Sequence, residues 1–338
     1  MDFHASPELI QFIESSSKAT FHELSIEKLA GDASPRHYWR LKTRQKSYVL
    51  LETAPFETEK ENFSYINVQR HLKSHNIHVP EIYAFSPKLG VLLIEDFGDT
   101  FLEKITQKVA PRQYAKYYFL ALDELFKIHF DASTPTKDCL AFSLLFNVEK
   151  LTWELEFMKT HLIKGYLKIS ILQKEDKELK EFFRILTSHL ANQPMYFTHR
   201  DYHSRNLMWH DGKICVLDFQ DARLGTCHYD LASLLKDSYV SLPQNLIDEL
   251  IRYYLYEKEK RENIKVDGEA FKRTFDWMAL QRNLKAMGTF AYLHLEKGKS
   301  DYLKYLKPTW AYVQENLEKY PEFQKTRTIL SGYLGALL

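Results

Sequence analysis

Apolar residues recur at helical spacing almost from the start of the chain. Leu9, Ile10, Phe12 and Ile13 follow Ser6-Pro7-Glu8, which reads as a helix start with Ser as N-cap and Pro in the first turn. From about residue 24 to residue 55 the period shortens. Segments around residues 31–35, 37–41 and 48–51 predict three strands with two turns. Residues 57–75 predict a helix, and residues 79–85 and 91–94 two more strands. After Gly98 the pattern turns helical. The longest run is 113–130, with Tyr114, Tyr117, Tyr118 and Leu125 on roughly one face. Further helices are predicted over about 148–162 and 174–190. A loop-rich interruption covers 195–221, where 206–209 and 214–217 predict a hairpin closed by Asp211-Gly212. From Tyr229 onward helices dominate. There is no internal repeat and no low-complexity linker. The expected class is α+β: a small strand-rich segment, then a large helical one holding a short hairpin, with the boundary near residues 96–100.

Composition changes this picture little. The chain has 338 residues, 45% of them hydrophobic and 27% charged, so a sizeable core is expected and wholesale disorder is not. Forty-six Lys and Arg against forty-five Asp and Glu give a net charge of +1. That balance argues against a nucleic-acid coat and a polybasic membrane anchor. The three cysteines, Cys139, Cys215 and Cys227, form no C-x-x-C pair, which disfavours a disulfide scaffold or a four-Cys zinc site and fits a reducing compartment. Met1-Asp2-Phe3-His4 lacks a basic region followed by an apolar stretch, so no signal peptide is read there. The aliphatic run Val91-Leu92-Leu93-Ile94 is far short of the ~20 residues a membrane helix needs. A cytoplasmic monomer with no nucleic-acid or membrane partner is expected.

The chemistry is concentrated in Thr198-His199-Arg200-Asp201-Tyr202-His203-Ser204-Arg205-Asn206, followed by Val216-Leu217-Asp218-Phe219-Gln220-Asp221. The first segment fits H-x-D-x-x-x-x-N; the second is a hydrophobic strand ending in Asp-Phe. This is the grammar of a kinase catalytic loop and its metal-binding Asp. Phosphoryl transfer asks the protein mostly for positioning and charge neutralisation. Asp201 would orient an acceptor hydroxyl and take its proton. Asn206 and Asp218, brought back together by the hairpin, would offer hard oxygen ligands to Mg²⁺.

At these residues the chain resembles the aminoglycoside phosphotransferase and choline kinase superfamily, over nearly its whole length. Tyr229-Asp230-Leu231-Ala232-Ser233-Leu234-Leu235 also looks like its motifs. A narrower resemblance, to the bacterial cell-wall amino-sugar kinases, is carried by two segments. One is Gly31-Asp32-Ala33-Ser34-x-Arg36-x-Tyr38; the other is Leu280-Gln281-Arg282-Asn283-Leu284-Lys285-Ala286-Met287-Gly288. That subgroup phosphorylates the anomeric hydroxyl of N-acetylmuramate and N-acetylglucosamine in peptidoglycan recycling. The resemblance implies a bilobal protein-kinase-like fold, with a five-stranded N-lobe over residues 1–97 and a helical C-lobe over 98–338. It implies ATP and Mg²⁺ as cofactors, Asp201 as catalytic base, and Asn206 and Asp218 as metal ligands. His199 would shape the loop, and Asp230 would brace it as a buried acceptor. Residues 94–97, with Glu95 and Phe97, would be the hinge that meets adenine. The 31–34 turn would cover the phosphates through backbone N–H groups and the Ser34 hydroxyl.

Two departures stand out. The strand comparable to the kinase V-A-I-K strand reads Tyr48-Val49-Leu50-Leu51-Glu52 and carries no Lys; Lys46 stands at its start, Lys42 on the previous strand, and Arg36, just after the covering turn, is a candidate substitute cation. The covering turn has one Gly instead of G-x-G-x-x-G. The missing Lys keeps a non-catalytic, nucleotide-binding pseudokinase as an alternative, beside a kinase of another small alcohol such as choline or an aminoglycoside. On the substrate side, Arg suits a planar carboxylate such as the lactyl group of N-acetylmuramate. Arg205, Arg223 and Arg282 are candidates, His203 would touch the sugar, and Gln220 and Asp221 would bond ring hydroxyls. Two decoys fail. Gly298-Lys299-Ser300 lacks the earlier Gly of a phosphate loop, and His71, His75 and His78 have no Cys or carboxylate to complete a metal site.

Overall fold

The computed structural model describes residues 3–29, 36–56 and 63–335. Helix α1 (Pro7–Ser17) begins at Ser6, whose side chain accepts the Leu9 N–H at 3.2 Å. An antiparallel sheet follows, built from β1 (Ser25–Lys28), β2 (His37–Lys42), β3 (Ser47–Glu52), β4 (Ile82–Ser86) and β5 (Val91–Glu95), in the order β1-β2-β3-β5-β4. Helix α2 (Ser64–Ser74) connects β3 to β4.

The unbroken apolar runs in β3 and β5 follow from burial on both faces. In register, Leu50 lies opposite Trp39 and Leu93, and with Val91 these pack beneath Leu9 and Ile13 of α1. The alternate positions Val49, Leu51, Leu92 and Ile94 join the main core with α2. Gly90 closes the β4–β5 turn at φ +65°, where an added Cβ would lie 2.3 Å from the Thr53 carbonyl oxygen.

Three sequence expectations shift here. The first strand of the sheet lies at Ser25–Lys28; residues 31–35, where a strand is expected, all lie outside the described residues. The helix expected over 57–75 is described from Ser64 onward. The strand expected from residue 79 starts at Ile82, because Pro80 has no N–H to pair and restricts Val79 before it.

The rest is mainly helical: α3 (Leu102–Lys108), α4 (Pro111–Phe126), α5 (Val148–Met158), α6 (Gln173–Ala191), α7 (His228–Leu235), α8 (Gln244–Glu262), α9 (Gly268–Lys297), α10 (Leu306–Lys319) and α11 (Gln324–Leu334). The expected 113–130 helix starts earlier, at Pro111, and becomes a π-helical turn over Lys127–Asp131; α5 likewise runs into one over Lys159–Tyr166. Helix α9, 30 residues long, packs against α5, α6, α7 and α10 and is the axis of this part.

Between α6 and α7 lie two small sheets. β6 (Met195–Thr198) pairs with β9 (Arg223–Thr226), and β7 (Leu207–His210) pairs with β8 (Lys213–Val216). Asp211 and Gly212 turn the second hairpin at φ 46° and 79°, the two positive values a two-residue type I′ turn needs. This hairpin docks on the end of β5. Phe97 packs on Met208 and Cys215, and the Trp209 N–H donates to the Thr100 carbonyl at 2.8 Å. Beside it, Arg40 pairs with Asp96 and Asp99 and donates to the Gly98 carbonyl, tying the segment after β5 back to β2. No helix among the described residues is long and apolar enough to cross a membrane.

Two predictions follow from packing. At the α5–α9 crossing an added Cβ on Gly288 would sit 2.5 Å from Met158 Cα. Gly288→Ala is expected to destabilise the fold by about 1–3 kcal/mol, the helix-propensity gain of ~1 kcal/mol notwithstanding. Thermal unfolding checks this, and an unchanged or raised Tm refutes it. All three cysteines are buried, and burial pushes the Cys215 thiol up to about 12 and the Cys227 thiol up to about 11. A disulfide reagent at pH 8 should therefore titrate no thiol in the native protein and three after denaturation.

Candidate active site

The loop between β6 and β7 carries Asp201, and two buried carboxylates hold its ends. Asp230 of α7 has no exposed surface. It accepts the backbone N–H groups of His199 at 2.7 Å and Arg200 at 2.8 Å, and His129 Nε2 lies 3.1 Å from it. The other His129 nitrogen is 2.8 Å from the Tyr254 hydroxyl. At the far end Asp237, just after α7, accepts the Ser204 N–H and hydroxyl at 3.0 and 2.6 Å. Burial raises its pKa, and the Ser204 hydrogen bonds oppose that rise. His199 Nε2 donates to the Leu217 carbonyl at 2.8 Å, linking the loop to the residue before Asp218. Arg200 and Asp218 both hold positive φ, at 84° and 60°. Such strain, of order 1–3 kcal/mol per residue, persists only where surrounding bonds over-determine it.

Within this frame Asp201, Asn206 and Asp218 come together. The Asn206 side-chain NH₂ donates to the Asp201 carbonyl at 3.0 Å, which leaves its oxygen as the free end for a ligand. The Gln220 NH₂ donates to Asp218 Oδ1 at 2.8 Å. The two carboxylates sit in opposite electrostatic surroundings. Burial alone would raise the pKa of Asp201, but Lys285, 3.5 Å away, and the Arg200 and Arg282 charges hold it well below the usual range. Desolvation by the cleft walls raises the pKa of Asp218, and the neighbouring Asp201 charge adds to the rise. A cation beside Asp218 would remove that penalty. Among the described residues no group of three or more His, Cys, Asp or Glu could hold a metal. One carboxylate and one amide oxygen instead fit an ion that keeps water and substrate phosphates as its other ligands, as Mg²⁺ does.

The remaining sequence candidates are placed as follows. Arg36 hydrogen-bonds Tyr38 and acts electrostatically on Asp218. Ser34 lies outside the described residues. Glu95 ends β5 with a carboxylate oxygen accepting the Glu81 N–H at 3.1 Å, and Phe97 lies between the sheet and the β7–β8 hairpin. His203 stacks edge-on against Tyr239; burial, reinforced by Arg282, pushes its pKa down to about 3, so it is neutral. Arg205 turns to Glu103 at 3.0 Å and lies over the Tyr239 ring, fastening the loop to α3. Asp221 is exposed and pairs with Arg200 at 2.7 Å. Arg282 is buried in α9 behind the loop.

Sequence reasoning assigned no role to Arg200, Asp237 or His129, and read Lys285 only as part of the 280–288 segment. Lys285 follows Arg282 by three residues on a helix, a spacing that shares a face and was the available signal. Asp237 and His129 have no local motif.

The chain matches the phosphotransferase enzyme family (APH) over residues 25–264. It is 30% identical over 313 residues to the N-acetylmuramate/N-acetylglucosamine kinase of Pseudomonas putida, covering 91% of this chain and 88% of that protein. Among solved structures it resembles choline kinase LicA from Streptococcus pneumoniae, with TM-score 0.60 and 15% identity over 93% of this chain and 98% of that one. It also resembles the ADP-bound aminoglycoside phosphotransferase APH(2'')-Ib, with TM-score 0.60 and 14% identity over 91% and 98%. The fold is thus protein-kinase-like, a strand-rich N-terminal sheet followed by a helical part. Since the family match runs from β1 through the Asp201 loop to the end of α8, the chain belongs to the phosphotransferase enzyme family.

Proposed function

We propose that this kinase transfers the γ-phosphoryl group of ATP, with Mg²⁺, to the anomeric hydroxyl of N-acetylmuramate and N-acetylglucosamine. The observation that carries the reading is the charge around Asp201. Lys285, Arg200 and Arg282 act on it together. A cation-lined acceptor side repels the cationic groups of choline or an aminoglycoside and suits a neutral or anionic sugar. Similarity to amino-sugar kinases over most of the chain supports the same class.

In this reading Asp201 accepts a hydrogen bond from the acceptor hydroxyl and takes its proton as the O–P bond forms. Its low pKa keeps it ionised at neutral pH, ready to orient that hydroxyl; the proton moves late. Asp218 and Asn206 would hold Mg²⁺, which supplies charge neutralisation at the transferring phosphoryl group. Arg36 beside Tyr38 takes the place of the strand Lys, and the segment around Glu95 and Phe97 meets the adenine. Asp230 does not touch reactants; it is a positioning residue for the loop.

The test offers ATP and Mg²⁺ with N-acetylmuramate, N-acetylglucosamine, choline or kanamycin, and follows ADP release and the reducing end of the product. Release of ADP with loss of the reducing end is expected for the amino sugars. Turnover restricted to choline or kanamycin refutes the reading. Asp201→Asn is expected to lower kcat by about 10²- to 10⁴-fold. Asp230→Asn should lower kcat and also cost about 1–3 kcal/mol of stability, because a neutral amide cannot satisfy the donors that face it. Denaturant unfolding beside steady-state kinetics separates the two effects, and an Asp230→Asn protein of wild-type stability would contradict the bracing role.

A further inference from the structure

Around Asp201 positive charge is gathered in excess of its counter-charges. Lys150 comes from the first turn of α5, Arg223 from β9, Lys285 from α9 and Arg200 from the loop. Lys285 and Arg200 act on Asp201, and Arg200, Arg223 and Lys285 act on Lys150, so the four cations share one neighbourhood with Asp201.

Two of the four cations already have close carboxylates. Lys285 lies 3.5 Å from Asp201, and Arg200 pairs with Asp221 at 2.7 Å. The other two are poorly neutralised. Lys150 reaches Glu154 only at 3.8 Å and otherwise lies over the Trp153 ring at 4.0 Å. Arg223 donates to a backbone carbonyl, that of Asp221, at 3.3 Å, with its guanidinium over the Phe146 ring at 5.0 Å. Both are partly buried. Desolvation lowers the pKa of Lys150, with Arg200, Arg223 and Lys285 adding to the fall against Glu154. Arg223 is lowered in the same way, by burial and then by Arg200. Desolvated cations that repel one another are a cost to the fold unless an anion joins them.

We propose that Lys150 and Arg223, with Lys285 at the inner edge, form a cradle for a carboxylate on the sugar acceptor, and that this cradle favours N-acetylmuramate over N-acetylglucosamine. The inference rests on the sugar-kinase reading above and adds the residues that choose between the two sugars. The anomeric hydroxyl faces Asp201 while the lactyl carboxylate, across the ring, meets the planar donor fork of Arg223 and the ammonium of Lys150. N-acetylglucosamine has no such carboxylate and leaves the cations uncompensated.

The test compares Lys150→Met, Arg223→Gln and Arg223→Lys with wild type, measuring kcat/KM for both sugars. Each neutral variant is expected to lower the N-acetylmuramate to N-acetylglucosamine ratio of kcat/KM by about 10- to 100-fold, mainly through KM. Arg223→Lys, which keeps the charge but loses the fork, should fall in between. A ratio that stays at the wild-type value overturns the cradle, as does a rise in KM for ATP that is equal with both sugars, which would assign the cations to the nucleotide. Wild-type protein that turns over neither sugar refutes the kinase reading instead. Calorimetric titration with N-acetylmuramate in the presence of ADP then decides the cradle: binding weakened by the neutral variants keeps it, and no binding overturns it.

Discussion

A buried carboxylate and a strained backbone depend on each other at the centre of this molecule. Asp230 has no access to water, and an isolated charge there would be untenable. Its compensation comes from two successive backbone N–H groups, those of His199 and Arg200, and from His129. Those N–H groups converge on one carboxylate only because the chain turns sharply at Arg200, at φ 84°. Releasing the turn would strand the charge, and removing the charge would leave buried donors unmade. Asp201 comes immediately after this turn, so its position is set by backbone geometry rather than by a flexible loop. Asp237 repeats the device at Ser204, and the Tyr202 hydroxyl donates to the Ala121 carbonyl at 2.7 Å between them. The loop is therefore held from α7 and α4 together, which is the preorganisation that positioning catalysis needs.

On that fixed frame the two cleft carboxylates are pushed in opposite directions. Cations from α9 and the loop keep Asp201 ionised. Asp218 feels desolvation and the charge of Asp201. Neighbouring titratable groups driven apart in this way divide the work between them. In the proposed reaction one would stay a hydrogen-bond acceptor for a hydroxyl, and the other would gain from a cation. Gln220 limits the rise at Asp218 by donating to it, and Asn206 faces the same space with its NH₂ already committed to the loop. The asymmetry arises from which side of the cleft each carboxylate faces, since both are ordinary aspartates.

How much of this was legible follows from how locally each feature is encoded. The β7–β8 hairpin reads directly from two short apolar runs flanking Asp211-Gly212, because a two-residue turn of that type accepts few other pairs. Asp201, Asn206 and Asp218 sit within one short stretch, so their spacing is visible. β6 and β9 are not visible: each has four residues, and β9 contains Gly225, where a Cβ would lie 2.6 Å from the Phe146 ring. His129 acts on the loop through Asp230, and Asp237 holds Ser204 from just after α7; no local pattern announces contacts that only tertiary packing makes. Arg205 shows the reverse problem. Its place in the motif suggests a substrate contact, yet Glu103, about a hundred residues earlier, takes up its guanidinium. Adjacency in sequence marks the loop but does not say which way each of its side chains turns.

Helix α9 shows where specificity is built into such a scaffold. It is buried on nearly every side, and an ordinary core helix in that position would be apolar throughout. Instead Gln281, Arg282 and Asn283 are buried in succession, with Lys285 two residues beyond at Asp201. Gln281 is satisfied in part by Glu154 of α5 at 3.1 Å, while neither end of the Asn283 amide finds a protein partner among the described residues. Burying that many polar groups in one stretch lowers stability relative to an apolar helix. Toward the helix ends the buried polar residues Thr274 and Asp276 have partners of their own, in His189 and in Asn316, Lys319 and Tyr320, and they sit among conventional core such as Phe275, Met278 and Leu293. A local violation of core composition placed beside Asp201 is what a site looks like when charge is needed beside the reacting group and the surrounding fold supplies the stability. The acceptor side proposed for this kinase would therefore be written in α5, β9 and α9, outside the motif stretch to which the phosphoryl-transfer chemistry is assigned.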